Sequence, residues 1–205
     1  MKKLGVLCLL FCFVLALVAC GPQEPVVEAK AAEINVDAAD LGAGYTRIEE
    51  NDLAAILERE NVSPEDKGAL TDANRRVFTS AAVVTATETV TGTPPLTRTQ
   101  IVITVMVYNA GSAAQTGFNE TRDAAKAVLA QNVALVAVNA ATIGDQSELW
   151  TAEVPDRQAT VYLFLGRRLN VTVFVMATGT PELTQAWVLG LGQTLINRVP
   201  SATAK

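Results

Sequence analysis

Two carboxylates stand close together in the second half of the chain, in the segment Gly144-Asp145-Gln146-Ser147-Glu148. Asp145 and Glu148 could bind a cation together, or act as a general acid and a general base. A Gly-Asp pair is also ordinary turn chemistry, because the short Asp side chain hydrogen-bonds its own backbone. We favour the turn interpretation and assign neither carboxylate to catalysis.

A second set of candidates is suited to binding rather than to catalysis. Arg167 and Arg168 stand at a hairpin tip and could recognise a carboxylate or a phosphate through paired hydrogen bonds. Trp150 and Tyr162, with Tyr45, could line a ligand pocket. The alternative is a solvated turn for the arginines and core packing for the aromatic rings. Trp150, Tyr162, Arg167 and Arg168 are therefore the candidate ligand-binding residues, and the ligand itself is unknown.

Several kinds of chemistry have no residues to support them. The chain has no histidine, which is the commonest general base and the commonest transition-metal ligand. It also has no glycine-rich phosphate loop, no Gly-x-Ser-x-Gly turn and no cysteine or histidine spacing typical of a metal site. We therefore predict a protein that is not an enzyme and uses no metal or cofactor.

The N-terminus carries the most specific pattern in the chain. Lys2 and Lys3 precede an uncharged run over 4–19, which is the arrangement of a secretory signal. The run closes with Leu17-Val18-Ala19-Cys20-Gly21, which resembles the lipobox of bacterial lipoproteins. That resemblance implies cleavage before Cys20, a lipid on its thiol, and a position at the cell membrane or outer envelope. Two alternatives are a transmembrane helix, for which sixteen residues are too few, and an ordinary secretory signal.

Composition restricts the partners of the mature chain. Removal of residues 1–19 leaves 186 residues and changes the formal net charge from −5 to −7. A net acidic chain argues against nucleic acid, whose binding needs clustered lysine and arginine. Cys8 and Cys12 lie in the signal, so the mature domain has no cysteine pair for a disulfide.

The chain divides into four regions by composition. Residues 1–19 form the signal peptide, and residues 20–33, rich in proline, alanine and charge, are predicted to be a lipidated flexible tether. Residues 34–199 form one folded domain, and residues 200–205 are a disordered tail.

Hydrophobic spacing predicts alternating strands and helices within the domain. The elements of its first half are a strand over 44–48, a helix capped by Asn51, a helix from Ser63 towards Arg76, a strand over 77–90, a strand over 100–109, and a helix over 112–130 that Ser112 and Gln115 begin as a capping box. The two long strands are rich in β-branched residues and are expected to pair antiparallel.

The second half of the domain has the same character. Its predicted elements are strands over 133–138 and 148–154, a hairpin of 159–165 with 170–177, and a closing helix that begins at Thr180-Pro181-Glu182. Gly190 and Gly192 are expected to let that helix lie close to the sheet. Hairpins with long single helices predict an α+β fold, an antiparallel sheet backed by helices in an α/β sandwich.

The order of elements after residue 77 resembles PsbP-like and LpqN-type sandwich domains of exported lipoproteins, and sensor-type extracellular domains. The segments that carry the resemblance are 143–147, the hairpin 162–173 and the closing helix 186–198. It implies a membrane-anchored module that binds a small molecule, a lipid or a protein partner without catalysis. The alternative is a structural envelope protein that docks a neighbour through a sheet edge or an apolar patch.

Overall fold

The computed structural model describes residues 25–60, 68–80, 98–131, 133–155, 159–179 and 183–202. Cys20, the signal peptide and the end of the predicted tail lie outside these ranges. The described elements are α1 (Ala31–Ile34), α2 (Ala38–Leu41), β1 (Tyr45–Asp52), α3 (Leu53–Glu60), β2 (Leu70–Ser80), β3 (Gln100–Tyr108), α4 (Gly111–Ala130), β4 (Val136–Val138), β5 (Gln146–Val154), β6 (Ala159–Arg168), β7 (Val171–Gly179) and α5 (Gln185–Arg198).

The seven strands form one antiparallel sheet in the order β1-β2-β3-β7-β6-β5-β4. The predicted hairpin of β6 and β7 is confirmed, and so is the antiparallel pairing of β2 with β3. The central pair, β3 and β7, joins strands from distant parts of the chain. The predicted fold class, an antiparallel sheet backed by helices in an α+β sandwich, is confirmed.

Helices cover both faces of the sheet. Successive side chains of a strand point to opposite sides, so each face has its own core. On the face that we call the α5 face, Ile103 and Val173 pack with Leu195 in the larger core, to which α1 and α2 also contribute. On the opposite face, called the α4 face, Phe118 of α4 packs on Leu163 and its neighbours.

The N-terminal segment belongs to the fold, which corrects the predicted boundary at residue 34. Val27 and Ala31 are buried in the larger core, so at least residues 27–33 are not a free tether. The side-chain amide of the buried Asn170 bonds both backbone polar groups of Val27. Its Oδ1 accepts from Val27 N at 2.8 Å, and its Nδ2 donates to Val27 O at 3.1 Å. Asp72 accepts from Ala31 N at 2.8 Å. Long-range partners order a segment whose own composition is typical of a linker.

The start of β2 also differs from the prediction. The helix expected to run from Ser63 towards Arg76 is wrong from Leu70 onward, where the chain is a strand between β1 and β3. Pairing on both sides decides the conformation of this stretch, because tertiary context overrides local helix propensity. The first part of that predicted helix, and the predicted continuation of β2 beyond Ser80, lie outside the described residues.

Helix starts are shifted by a few residues. Asn51 lies in β1, and Asp52 instead accepts the hydrogen bond from Ala55 N, at 3.0 Å. The expected capping box of α4 is absent from its described N-terminus, since α4 begins at Gly111 without a side-chain cap. Thr184 caps α5, since its Oγ1 accepts from the backbone N–H of Trp187, the third residue of the helix, at 3.2 Å. The expected cap at 180–182 lies outside the described residues.

One of the two glycines of α5 has the predicted packing role. A Cβ on Gly192 would lie 2.6 Å from the ring of the fully buried Phe164, so only glycine lets the helix approach this closely. A Cβ on Gly190 would meet nothing within 4 Å, so the prediction for Gly190 is wrong.

Candidate functional site

The four candidate binding residues do not form one site. Trp150 is buried on the α4 face, where the Nζ of Lys126 lies 4.5 Å from its ring centroid. Tyr162 packs against the larger core on the opposite face. Tyr45 stacks on Trp187, also on the α5 face, with ring centroids 6.1 Å apart, and burial raises its pKa. These aromatic rings are packing residues of two separate cores.

The two arginines of the hairpin support backbone rather than a shared ligand. Arg168 Nη1 donates to the carbonyl of Ile196 at 3.3 Å, in the last turn of α5. Arg167 Nη1 donates to the carbonyl of Leu169 at 3.2 Å, and Arg167 Nε is buried without a hydrogen-bond partner within the described ranges. Because they are adjacent on a strand, the two side chains start on opposite faces.

Asp145 and Glu148 have separate structural contacts. Asp145 is exposed and accepts a hydrogen bond from Leu169 N at 2.6 Å, which fixes the β6–β7 turn. Glu148 forms ion pairs with Arg122 at 3.5 Å and with Lys126 at 3.8 Å. The turn interpretation expected Asp145 to hydrogen-bond its own backbone, whereas its carboxylate instead bonds the backbone of a residue 24 positions later. Within the described ranges, no three acidic, cysteine or histidine side chains cluster as metal ligands would.

The structure instead forms an apolar groove on the α4 face, with a volume of about 490 Å³. Its floor is formed by the even-numbered residues of β3 and β7, and one wall is formed by the second half of α4. The lining residues are Arg75, Val102, Thr104, Met106, Glu120, Thr121, Ala124, Ala125, Val128, Leu129, Leu163, Phe174 and Met176. The groove is long, since 120–129 of α4 span about 14 Å at 1.5 Å per residue.

The first half of α4 lies directly on the sheet, so the groove begins only beyond it. Thr172 Oγ1 donates to the carbonyl of Ala114 at 3.3 Å. A Cβ on Gly117 would collide with the Tyr108 hydroxyl, which shows how close the helix and β3 are there. Tyr108 is mostly buried, and its desolvation together with the charge of Glu120 raises the pKa of its hydroxyl. Beyond this contact the helix presents alanines to the sheet, and small side chains leave space.

On the side opposite α4 the groove is lined by Arg75, which belongs to a cluster of charged side chains. Arg75 lies across from Thr104 in the β2–β3 register, and its Nη1 donates to Glu49 Oε1 at 2.6 Å. The same oxygen accepts from Arg59 Nη1 and from Asn51 Nδ2, each at 2.6 Å. Burial alone would raise the pKa of Glu49, but the Asn51 hydrogen bond and the two arginine charges outweigh it and hold this pKa below its usual value. Two guanidinium groups therefore share one ionised carboxylate.

Sequence reasoning missed the residues of this groove. Arg75 lay in a stretch predicted to be helix, and Met106, Phe174 and Met176 were seen only as strand residues. One signal was present: β3 and β7 are apolar at almost every position, and a strand that is apolar on both sides has both faces covered. The apolar pattern indicates that helices pack on both faces of the sheet. It does not show that α4 covers its face only in part.

A second cavity, of about 530 Å³, lies beside the N-terminal segment, where Val26 to Lys30 face Asp72 and Tyr108. Its wall begins at the first described residues of the chain. We therefore base the candidate site on the α4 groove, whose lining lies within described elements.

Comparison with known proteins shows the fold and no family. No protein-family model matches the chain, and no curated protein matches it. Among solved structures, the extracellular domain of PknH from Mycobacterium tuberculosis is similar, with a TM-score of 0.52 over 86% of this chain and 98% of that chain. The two sequences are 10% identical, so the similarity is one of fold alone. The described helices include none that is long and apolar enough to cross a membrane.

Proposed function

We propose that this protein is a lipid-anchored extracytoplasmic module that binds an apolar ligand in the α4 groove and performs no catalysis. The observation that carries the proposal is the groove itself. Its volume of about 490 Å³ falls within the range of about 300–1,000 Å³ typical of small-molecule sites. Its lining also has the usual composition of such sites, mostly apolar with a few polar groups.

The groove is open to solvent on the side of α4. Val128 lies at its rim with 62% of its surface exposed, although it is a large apolar residue on an otherwise amphipathic helix. The lipid anchor on Cys20 would hold this groove near a membrane, which is a source of apolar molecules.

The test compares the molecules that two matched variants retain from a membrane extract. Ala124 is exposed and lines the groove, whereas Ala127 is exposed on the same helix and does not line it. Segment 21–205, which contains every described element, is incubated with a membrane extract, and bound molecules are identified by mass spectrometry. We expect Ala124→Trp to lose the bound molecule and Ala127→Trp to keep it. A wild-type domain that retains nothing, or equal retention by both variants, would refute the proposal.

Docking of a neighbouring protein through a sheet edge remains the alternative, but the edges do not favour it. β1 carries charged side chains and an irregularity between Arg47 and Glu49. Charges and bulges are features by which proteins prevent strand pairing at an edge. The other edge strand, β4, has only three residues.

A further inference from the structure

The charge of the groove indicates which apolar molecule it binds. Arg75 is only 17% exposed and lies on β2, at the side of the groove, across from Thr104. Glu120, the acidic residue in the lining, is exposed on α4. Charges near the protein interior act through a lower dielectric than charges in water. The charge of Arg75 is therefore less screened by solvent than the charge of Glu120.

Among the described residues, the ion-pair cluster that contains Arg75 has an excess of positive charge. Arg59 and Arg75 both pair with the single carboxylate of Glu49, and they do so through the same oxygen atom. One guanidinium charge is thus uncompensated within this cluster. Glu49 uses Nη1 of Arg75, and a guanidinium has five donors in a planar fork. The remaining edge can receive a second carboxylate with two parallel hydrogen bonds.

The rest of the groove suits an unbranched aliphatic chain. The floor runs from Val102 to Met106 on β3, about 14 Å at 3.4 Å per residue, which matches the length of the α4 wall. Met106, Met176 and Phe174 line it, and methionine is the side chain that adapts best to a flexible apolar partner. Arg75 and Thr104 form one polar pair in the lining, and Glu120 and Thr121 on α4 form another.

We infer that the groove binds a fatty acid, with its carboxylate on Arg75 and its chain over the apolar residues of β3, β7 and α4. The inference rests on the proposed function and specifies its ligand. The hydroxyl of Thr104, across from Arg75, provides a second donor for the carboxylate. An uncharged molecule of the same length would fill the apolar part equally well and lose only the contact with Arg75.

The experiment is equilibrium dialysis of segment 21–205 against labelled palmitate and labelled hexadecanol, each below its micelle concentration. Arg75→Gln removes the proposed carboxylate contact and leaves Glu49 paired with Arg59. Arg47→Gln is the matched control, because Arg47 lies on the neighbouring strand β1 and pairs with Asp37 and Glu50, away from the groove. Circular dichroism and a cooperative melt establish that each variant is folded.

We expect the wild-type domain to bind palmitate about 10 to 100 times more tightly than hexadecanol, the factor typical of a hydrogen-bonded charge. Arg75→Gln should abolish this preference while its hexadecanol affinity changes by less than about twofold. Arg47→Gln should keep the preference. Equal wild-type affinities that Ala124→Trp abolishes would overturn the fatty-acid inference and leave the binding function intact. Binding of neither compound, with a peptide as the co-purifying ligand, would overturn the inference, and no groove-dependent ligand of any kind would refute the proposed function.

Discussion

Asn170 should be one of the residues on which the stability of the domain depends most, although nothing in its local sequence marks it. Its side chain is 1% exposed and makes three hydrogen bonds, two with the backbone of Val27 and one, at 2.7 Å, with the carbonyl of Tyr108. Asn170→Ala removes all three and leaves buried backbone groups without these partners. At about 1 kcal/mol for each hydrogen bond, the loss is about 3 kcal/mol.

A loss of this size is easy to measure. For a domain of this length, 1 kcal/mol lowers the melting temperature by about 2–4 °C, so Asn170→Ala should melt about 6–12 °C below the wild-type domain. Asn109→Ala is the matched control, since Asn109 is exposed and donates one long hydrogen bond, at 3.3 Å, to Gly68. The control should change the melting temperature by less than about 4 °C.

Truncation separates the role of Asn170 in holding the N-terminal segment from its other contacts. A chain that begins at residue 32 lacks Val27, so two of the three hydrogen bonds no longer exist in it. Asn170→Ala should therefore cost about 1 kcal/mol in the truncated chain and about 3 kcal/mol in the longer one. Equal costs in both backgrounds, or a truncated chain that melts like the wild-type domain, would show that residues 25–31 are a tether after all.

Three further predictions concern other parts of the molecule. Cys20→Ser should abolish incorporation of labelled palmitate and leave the precursor uncut, because lipid transfer requires the thiol; normal cleavage would indicate an ordinary secretory signal. Gly192→Ala should lower the stability in urea by about 1–3 kcal/mol through overlap with Phe164, whereas Gly190→Ala should raise it by up to about 1 kcal/mol; similar results for the two would refute the packing role. Burial raises the pKa of Glu50, but its hydrogen bonds from arginine and asparagine outweigh burial and hold that pKa below normal. Ionised Glu50 therefore stabilises the fold above its unfolded pKa of about 4.3. This stabilisation is lost as the pH falls through the lower pKa of the folded state. Glu50→Gln should therefore reduce the loss of unfolding free energy on the acid side of the pH profile.

The sequence predicted best the strands in which apolar residues alternate in the same way as the buried positions. In β3 and β7 the β-branched residues recur at every second position, and in β6 the aliphatic residues Val161, Leu163 and Leu165 do so. The turn at 169–170 lies between β6 and β7. Strand propensity and burial agree in these segments, so both favour the same structure. The pairing of β6 with β7 followed from their closeness in the chain.

The N-terminal segment and β2 could not be predicted in the same way, because their partners are far away in sequence. Val27 is ordered by a residue 143 positions later, and Ala31 by one 41 positions later. The buried Arg76 is held by Glu50 and by the backbone carbonyls of Asn35 and Val36. Local composition describes a segment without these partners, so it predicts a linker where the fold places a core segment.

The groove depends on three properties that no single segment contains. β3 must lie beside β7, which brings Val102 next to Met176 across about seventy residues of chain. The close contact of Gly117 with Tyr108 fixes the first half of α4 on the sheet. The alanines that follow are too small to fill the space over β3, so apolar side chains on both sides stay partly uncovered. A helix with large apolar residues at those positions would close the same face into ordinary core. The groove therefore follows from small residues on α4, which a search for reactive or aromatic side chains passes over.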